Sequence, residues 1–428
     1  MSNSTIETAR GAELLYSTIA GIVRPCARPT LDESEDSVQD ARDNLIQDER
    51  LDLLLSPFAI GARRAPNRLV AQPMEANDAA ANGAPSERVL QRYLRLAEGA
   101  WGVVFVESTY VSARSPVRFS ALRLTEATLP GFQDLVRQFK ARNPEALLLV
   151  QLSHSGGTSR TGAASAEALP EQRDGVDHLS GDEIERIRQQ FVAAALLARQ
   201  AGFDGIDLKL CHGYLGAKLL RPANVRDDGW GGTFENRTRF FSTAIRDIRR
   251  QLAGDPAFLL GSRISFYERL PGGCGTAGPE SKVYDPAETY DLIRLLYDLE
   301  LDFVNVSGDA KETPDHKTAE EQRAGILLYE RLTHDRVREL AARGLPRTPM
   351  AVIGSGYSAL GEEALPAAAR RLAAGCTDLI GFGRQSFADP LLPRKVREGR
   401  PLDVCRGCWA CNRRMMAGQP AACVVYDQ

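Results

Sequence analysis

Neither sign of charge dominates this chain: Lys and Arg total 53 against 56 Asp and Glu, a formal net charge of -3 over 428 residues. That balance leaves no basic footprint for a phosphate backbone, so nucleic acid is not an expected partner. Long apolar runs are missing as well. No uninterrupted stretch approaches the length of a bilayer span, and Leu14 to Val23 is too polar for the core of a signal peptide. A cytoplasmic protein without a membrane partner is therefore expected. No GxGxxG opens the first helical stretch, which argues against an open doubly wound nucleotide-binding sheet. A secreted disulfide framework is lacking too: Cys26, Cys211, Cys274 and Cys376 are scattered, while the other four of the eight cysteines fall in the last 24 residues. That clustering points to thiol or metal chemistry.

What is present is ordinary globular composition, 43% apolar and 25% charged. Residues 1 to 48 read as an acidic N-terminal extension, poor in core residues and peripheral to the rest. From there, short apolar runs alternate with longer helical ones. Eight strands are expected at 68–72, 102–107, 146–152, 205–209, 258–264, 302–306, 350–353 and 378–381. Between them lie helices such as 181–201, where Asp182 and Glu183 favour a start and Gly202 a stop, and 235–252. Eight βα units predict an α/β protein of (β/α)8 TIM-barrel class over residues 49–400, followed by a Cys-rich tail at 401–428. The long loops 153–180, 267–284 and 308–323 follow strands three, five and six, on the face where barrels bind ligands and set substrate choice.

The segment from Asp207 to Phe240, DLKLCHGYLGAKLLRPANVRDDGWGGTFENRTRF, concentrates candidate chemistry. Its opening run is apolar enough for a buried parallel strand, and Lys209, His212 and Tyr214 fall where that strand ends. Each alone could be a satisfied core histidine or a snorkelling lysine. Three together at a barrel mouth read as site residues, because burying them without a ligand is costly.

This segment resembles the Old Yellow Enzyme family of flavin-dependent oxidoreductases, whose corresponding stretch reads His-x-x-His/Asn-Gly-Tyr-Leu, then Arg-x-Asp, Tyr-Gly-Gly and Glu-Asn-Arg-x-Arg-Phe. Three further stretches match in the family's order: PFAIGARRAPNRLVAQPM from Pro57 to Met74, QLSHSG from Gln151 to Gly156, and GFGRQSFADP from Gly381 to Pro390. The resemblance covers about residues 52 to 428. It implies an FMN-dependent, NAD(P)H-linked enzyme in which hydride passes from flavin N5 to the β-carbon of an activated alkene. A tyrosine matching Tyr214 would protonate the α-carbon, and residues matching Lys209 and His212 would hold the substrate oxygen.

The loops after the seventh and eighth strands, IGSGYS and GFGRQ, offer close-approach backbone amides and one guanidinium, as a mononucleotide such as FMN requires. By the resemblance, Ser355, Gly356, Gly383 and Arg384 would contact the FMN phosphate. Gln151 would face the pyrimidine edge, and Arg263 would stabilise negative charge on reduced flavin. Pro73, Met74 and Glu75 would line the cofactor, with Glu107 a further carboxylate at the mouth or an inward partner of Arg263.

Two positions depart from the family pattern. Lys209 stands where His is usual, adding charge that suits an anionic substrate or a buried acidic partner. Glu75 stands where Cys or Thr often tunes the flavin. A Glu75–Lys209 pair would favour a reaction other than simple alkene reduction.

At the C-terminus, Cys405, Cys408, Cys411 and Cys423 form a CxxCxxC-x11-C array suited to a cluster. It resembles the [4Fe-4S] motif of the trimethylamine dehydrogenase and dienoyl-CoA reductase branch, with a metal-free vestige as the alternative. In that branch a further flavin or nucleotide domain follows, so electrons leaving a cluster here are expected to need a separate electron-transfer partner. Beside the ene-reductase reading stand a flavin dehydrogenase of amines or C–H bonds using such a partner, and a non-catalytic FMN-binding barrel. A small-molecule substrate is expected in the first two; homo-oligomerisation stays open.

Overall fold

The computed structural model describes residues 51–112, 118–158, 178–253, 255–309, 319–343 and 349–426. The acidic extension at 1–48 and most of the loops at 153–180 and 308–323 lie outside the described residues. Two three-residue strands come first, β1 (Phe58–Ile60) and β2 (Arg63–Ala65), pairing antiparallel. Eight parallel strands follow: β3 (Leu69–Ala71), β4 (Val103–Tyr110), β5 (Leu147–Ser153), β6 (Gly205–Leu210), β7 (Leu259–Ser265), β8 (Phe303–Ser307), β9 (Ala351–Gly354) and β10 (Leu379–Phe382). They close in the order β10-β3-β4-β5-β6-β7-β8-β9. Helices at Glu87–Glu98, Leu129–Arg142, Gly181–Ala201, Phe234–Gln251, Ala287–Asp298, Ala319–Ala342 and Ala364–Ala373 occupy the crossovers. The expected (β/α)8 barrel is present, each of its eight strands lying within a few residues of its sequence-derived position.

Local chemistry accounts for the elements. The strands are buried on both faces, which is why their sequences read as continuous apolar runs rather than alternating ones. Helix Gly181–Ala201 begins where expected because Ser180 accepts from the Glu183 amide while Glu183 reaches back to the Ser180 amide. It stops at Gly202, whose φ of +92° suits glycine. The β1–β2 hairpin is absent from the sequence reading, since strands of three residues carry almost no periodic signal. Among the described residues no helix is long and apolar enough to cross a membrane.

Inside the barrel, one pleat position decides polarity. Ile60, Val70, Val103, Phe105, Leu147, Leu149, Leu259, Phe303, Ala351, Ile353 and Leu379 fill the lower layers as one apolar cluster. Phe105 and Phe303 meet edge to face at 5.7 Å between centroids. The inward positions above them, nearer the strands' C-terminal ends, turn polar: Gln72, Gln151, Asp207, Arg263 and Asn305. Stacked layers of this kind make the barrel a packed core with its site at one end.

That packing leaves no room for a methyl group at Gly261, where a Cβ would come within 2.3 Å of the Phe303 ring. Gly261→Ala should displace Phe303 and cost roughly 1–3 kcal/mol of stability, the usual range for overpacking. Denaturant unfolding should show a lower midpoint at unchanged slope; an unaltered midpoint would mean that the aromatic layer is not close-packed.

Candidate active site

Strand register assembles the mouth of the barrel. Lys209 on β6 sits beside Arg263 on β7, and Arg263 beside Asn305 on β8. Asp207 and Lys209, two apart on one strand, share a face. Gln151 donates to Asp207 Oδ2 at 2.7 Å. Gln72 and Asn305 exchange two hydrogen bonds, 3.0 Å and 2.7 Å, and Arg263 Nη1 donates to Gln72 Oε1 at 3.2 Å. Burial pushes the Asp207 carboxyl up to about 6, against the opposing pull of the Gln151 hydrogen bond and the Arg263 and Lys209 charges. Asp207 Oδ1 and Arg263 Nε are buried with no hydrogen-bond partner among the described residues, so this layer presents unused polar capacity toward the mouth.

The second group centres on Glu75. Its Oε1 accepts from Lys209 Nζ at 3.0 Å and from the Tyr214 hydroxyl in a short bond, and its Oε2 lies 3.0 Å from Arg118 Nε. Lys209 also donates to Ser108 Oγ at 3.1 Å, and its ammonium stands 3.5 Å from the centre of the Tyr214 ring. The structure thus makes the Glu75–Lys209 pair that the sequence left conditional, and adds Arg118 to it. Burial holds the Tyr214 phenol well above its ordinary range, reinforced by the Glu75 and Tyr110 oxygens and opposed by Arg118.

Glu107 belongs elsewhere than beside Arg263. It pairs with Arg92 at 2.5 Å and accepts from the Ala76 amide at 2.7 Å, and burial raises its carboxyl to about 7. His212, in a left-handed turn at φ +62°, is anchored through its amide to Ser265 Oγ and places Nε2 2.6 Å from Ser307 Oγ. Arg263 Nη2 reaches the same Ser307 hydroxyl at 3.4 Å.

The third group is the pair of glycine-bearing loops after β9 and β10. Gly356 has φ +87°, a conformation that favours glycine, and a Cβ on Gly383 would meet Met74 Sδ at 2.9 Å. Pro73 is buried beside this contact. Ser355 Oγ donates to the Val306 carbonyl, bracing its loop on β8, and Ser358 Oγ accepts from the Gln385 amide at 3.1 Å, tying the two loops together. Arg384 Nη1 is buried with no hydrogen-bond partner among the described residues.

The cysteine tail lies against both ends of this site. Cys405 donates its amide to Gln385 Oε1 at 2.8 Å, while Ala421 donates to the Ala76 carbonyl at 2.7 Å and Arg118 Nη1 lies 3.7 Å from Met416 Sδ. Cys405, Cys408, Cys411 and Cys423 are all free thiols. Among the described residues, no group of three or more His, Cys, Asp or Glu side chains is arranged to hold a metal ion. Burial holds the Cys411 thiol above its ordinary range, opposed by the Asn412 amide and Arg384 and reinforced by the neighbouring Cys405 and Cys408 thiols, so three of the four sulfurs lie near one another. The chain turns left-handed at Gly407 and again at Trp409, and Cys411 is then taken into the helix Ala410–Met416.

Sequence reasoning missed Arg118, Ser108, Gln72, Asn305 and Ser307. Asn305 and Ser307 carried a usable signal, being polar residues two apart on an otherwise apolar strand. Arg118 carried none, since it reaches Glu75 from a loop.

The sequence profile of the NADH:flavin oxidoreductase / NADH oxidase family matches residues 53–403. Dimethylamine dehydrogenase of Hyphomicrobium sp. (strain x) is 29% identical over 399 residues, covering 89% of this chain and 50% of that protein. NADH oxidase of Thermoanaerobacter brockii is 28% identical over 380 residues, covering 86% and 54%. The chain spans about half the length of these curated relatives. Among solved structures, 2-naphthoyl-CoA reductase superposes with a TM-score of 0.74 at 22% identity, covering 88% of this chain and 57% of that one, a likeness of fold.

Asp207 gives a pH prediction. Its folded value, about 6, is above the ordinary 3.8, so its contribution to stability is full below about pH 4 and is lost as pH rises through about 6. Asp207→Asn should remove that dependence, on the order of 3 kcal/mol across the window for a two-unit shift. Unfolding free energies of both proteins at several values between about pH 4 and pH 8 give the difference, in which Glu107 and other shared groups cancel. A difference that stays flat across the window would show that Asp207 titrates normally.

Proposed function

The chain belongs to the NADH:flavin oxidoreductase / NADH oxidase family, and from that premise we propose that it is an FMN-dependent, NAD(P)H-linked oxidoreductase that reduces an electron-poor alkene carrying an anionic group. The residues present suit FMN. Arg384, whose Nη1 is buried and unsatisfied, and the glycines at 356 and 383 would hold its phosphate, and Arg263 with Gln151 its ring. Bound there, FMN would supply hydride transfer between nicotinamide and substrate.

The observation that carries the substrate class is the charge around Glu75. One carboxylate meets two cations, Lys209 and Arg118, so the cluster carries a net positive charge. An anionic substrate gains from that sign and a protonated amine does not. An ammonium has three N–H donors, and Lys209 spends two on Glu75 and Ser108. The third is left for a substrate oxygen, where it would strengthen as oxyanion character develops. Tyr214 is held protonated by burial and by Glu75. Turning its hydroxyl about the C–O bond would aim the proton at the substrate α-carbon, with Lys209 over the ring to stabilise the phenolate left behind.

A second reading rests on the direction of the resting hydrogen bond. The Tyr214 proton points into Glu75, which suits Tyr214 as a base that passes a substrate proton to the carboxylate during oxidation. The relative named dimethylamine dehydrogenase keeps this direction in view.

Anaerobic mixing separates the readings. Bleaching of the bound flavin by NADH or NADPH, followed by reoxidation with an enoate, supports the reductase; bleaching by an amine with no response to either nicotinamide supports the dehydrogenase. Tyr214→Phe should leave nicotinamide-driven bleaching intact and slow reoxidation by the alkene roughly a hundredfold or more, the scale of a positioned proton donor. Unchanged reoxidation would remove Tyr214 from proton transfer.

A further inference from the structure

Trp409 stands out on backbone grounds. It has φ +59° and ψ +9°, left-handed values that a bulky aromatic rarely adopts, and the residue is 46% exposed. Strain of this kind persists where the surrounding structure enforces it, commonly at a binding site. Here the enforced conformation brings the indole under Arg384, whose guanidinium carbon lies 4.1 Å from the ring centroid. The segment leading to Trp409 is fastened to the same loop. Gln385 bonds the Asp403 carbonyl at 2.9 Å and the Cys405 amide at 2.8 Å, and Lys395 bridges Asp389 and Asp403 at 2.9 Å and 2.7 Å.

We propose that Trp409 is a positioning residue for the phosphate of FMN: by stacking on the face of Arg384 it holds the guanidinium in the plane that presents its N–H edge to the anion. A guanidinium donates only within its plane, so an aromatic ring on its face restricts it without consuming a donor. The buried, unsatisfied Nη1 is then the edge left for phosphate oxygens. The inference rests on the assignment of Arg384 to the phosphate, which the experiment tests separately.

The full-length protein is stripped of flavin and titrated with FMN and with riboflavin, which shares the ring and ribityl chain but lacks the phosphate. Trp409→Ala should weaken FMN binding roughly five- to thirtyfold, the effect of losing one cation–π contact, and leave riboflavin binding within about twofold. Trp409→Phe, which keeps a ring face, should recover most of the loss, and it guards against a variant that fails to fold. Arg384→Ala should abolish the preference for FMN over riboflavin. If Arg384→Ala removes that preference while Trp409→Ala keeps full FMN affinity, the positioning role is overturned. Equal losses for FMN and riboflavin in Trp409→Ala would also overturn it, showing that the tail merely supports the pocket. An unchanged preference in Arg384→Ala would instead fail the phosphate assignment, and the inference with it.

Discussion

A carboxylate and an ammonium taken out of water at a barrel mouth each carry a desolvation penalty of several kcal/mol, and that penalty is offset only if each meets a well-placed partner. Glu75 and Lys209 meet that condition jointly, 3.0 Å apart. Without Lys209, Glu75 would still have Arg118 and the Tyr214 hydroxyl as partners, whereas without Glu75, Lys209 would set an ammonium against Arg263 across adjacent strands. Two departures from the family pattern are therefore one physical change. Other features of the mouth follow from it. Arg118 lies against the second carboxylate oxygen, and the Tyr214 hydroxyl donates a hydrogen bond to the first. Burial, and then this neighbour, hold the phenol well above its ordinary range.

Most of the barrel was legible because its physics is local and periodic. Strands buried on both faces must be apolar throughout, and helices such as Gly181–Ala201 announce their ends through Ser180 and Gly202. The β1–β2 hairpin was not legible, being too short to show a period. In the site, Lys209, His212 and Tyr214 were found as polar residues at an apolar strand's end, but their partners were not. Lys209 and Tyr214 turn to Glu75, while His212 turns to Ser307. Such pairings depend on side-chain reach across loops, and Arg118 bears no periodic relation to anything it touches. Glu107 shows the same limit. A buried carboxylate on β4 must find a cation, yet only the fold reveals that the cation is Arg92 and not Arg263.

The tail combines a ligand-spacing motif with contacts to the barrel. Four cysteines in a CxxCxxC-x11-C array state which ligands a cluster would use, and the thiols of Cys405, Cys408 and Cys411 lie near one another. The same segment is fastened to the barrel. The amide of Cys405 is held by Gln385, Trp409 is turned under Arg384, and Cys411 starts a helix. The contacts run from the loop after β10 at one end to Ala76, next to Glu75, at the other. A segment anchored at both ends of a pocket ties the conformations of those ends together.

Charge also bears on the choice between reduction and oxidation. A site that takes up a protonated amine needs a net negative receptor or a carboxylate left free for the cation, and here Lys209 and Arg118 already flank the one carboxylate in the Glu75 cluster. An amine would have to enter neutral, with its proton given up beforehand. An enoate faces no such requirement. On the proposed reading its carboxylate would be attracted by the excess positive charge, its developing oxyanion would meet the remaining N–H of Lys209, and its proton would come from a phenol that burial keeps protonated. From sequence, a Glu75–Lys209 pair is expected to turn the site from simple alkene reduction; with Arg118 on the second carboxylate oxygen the cluster keeps a net positive charge, and on that charge the proposed reduction of an anionic, electron-poor alkene rests.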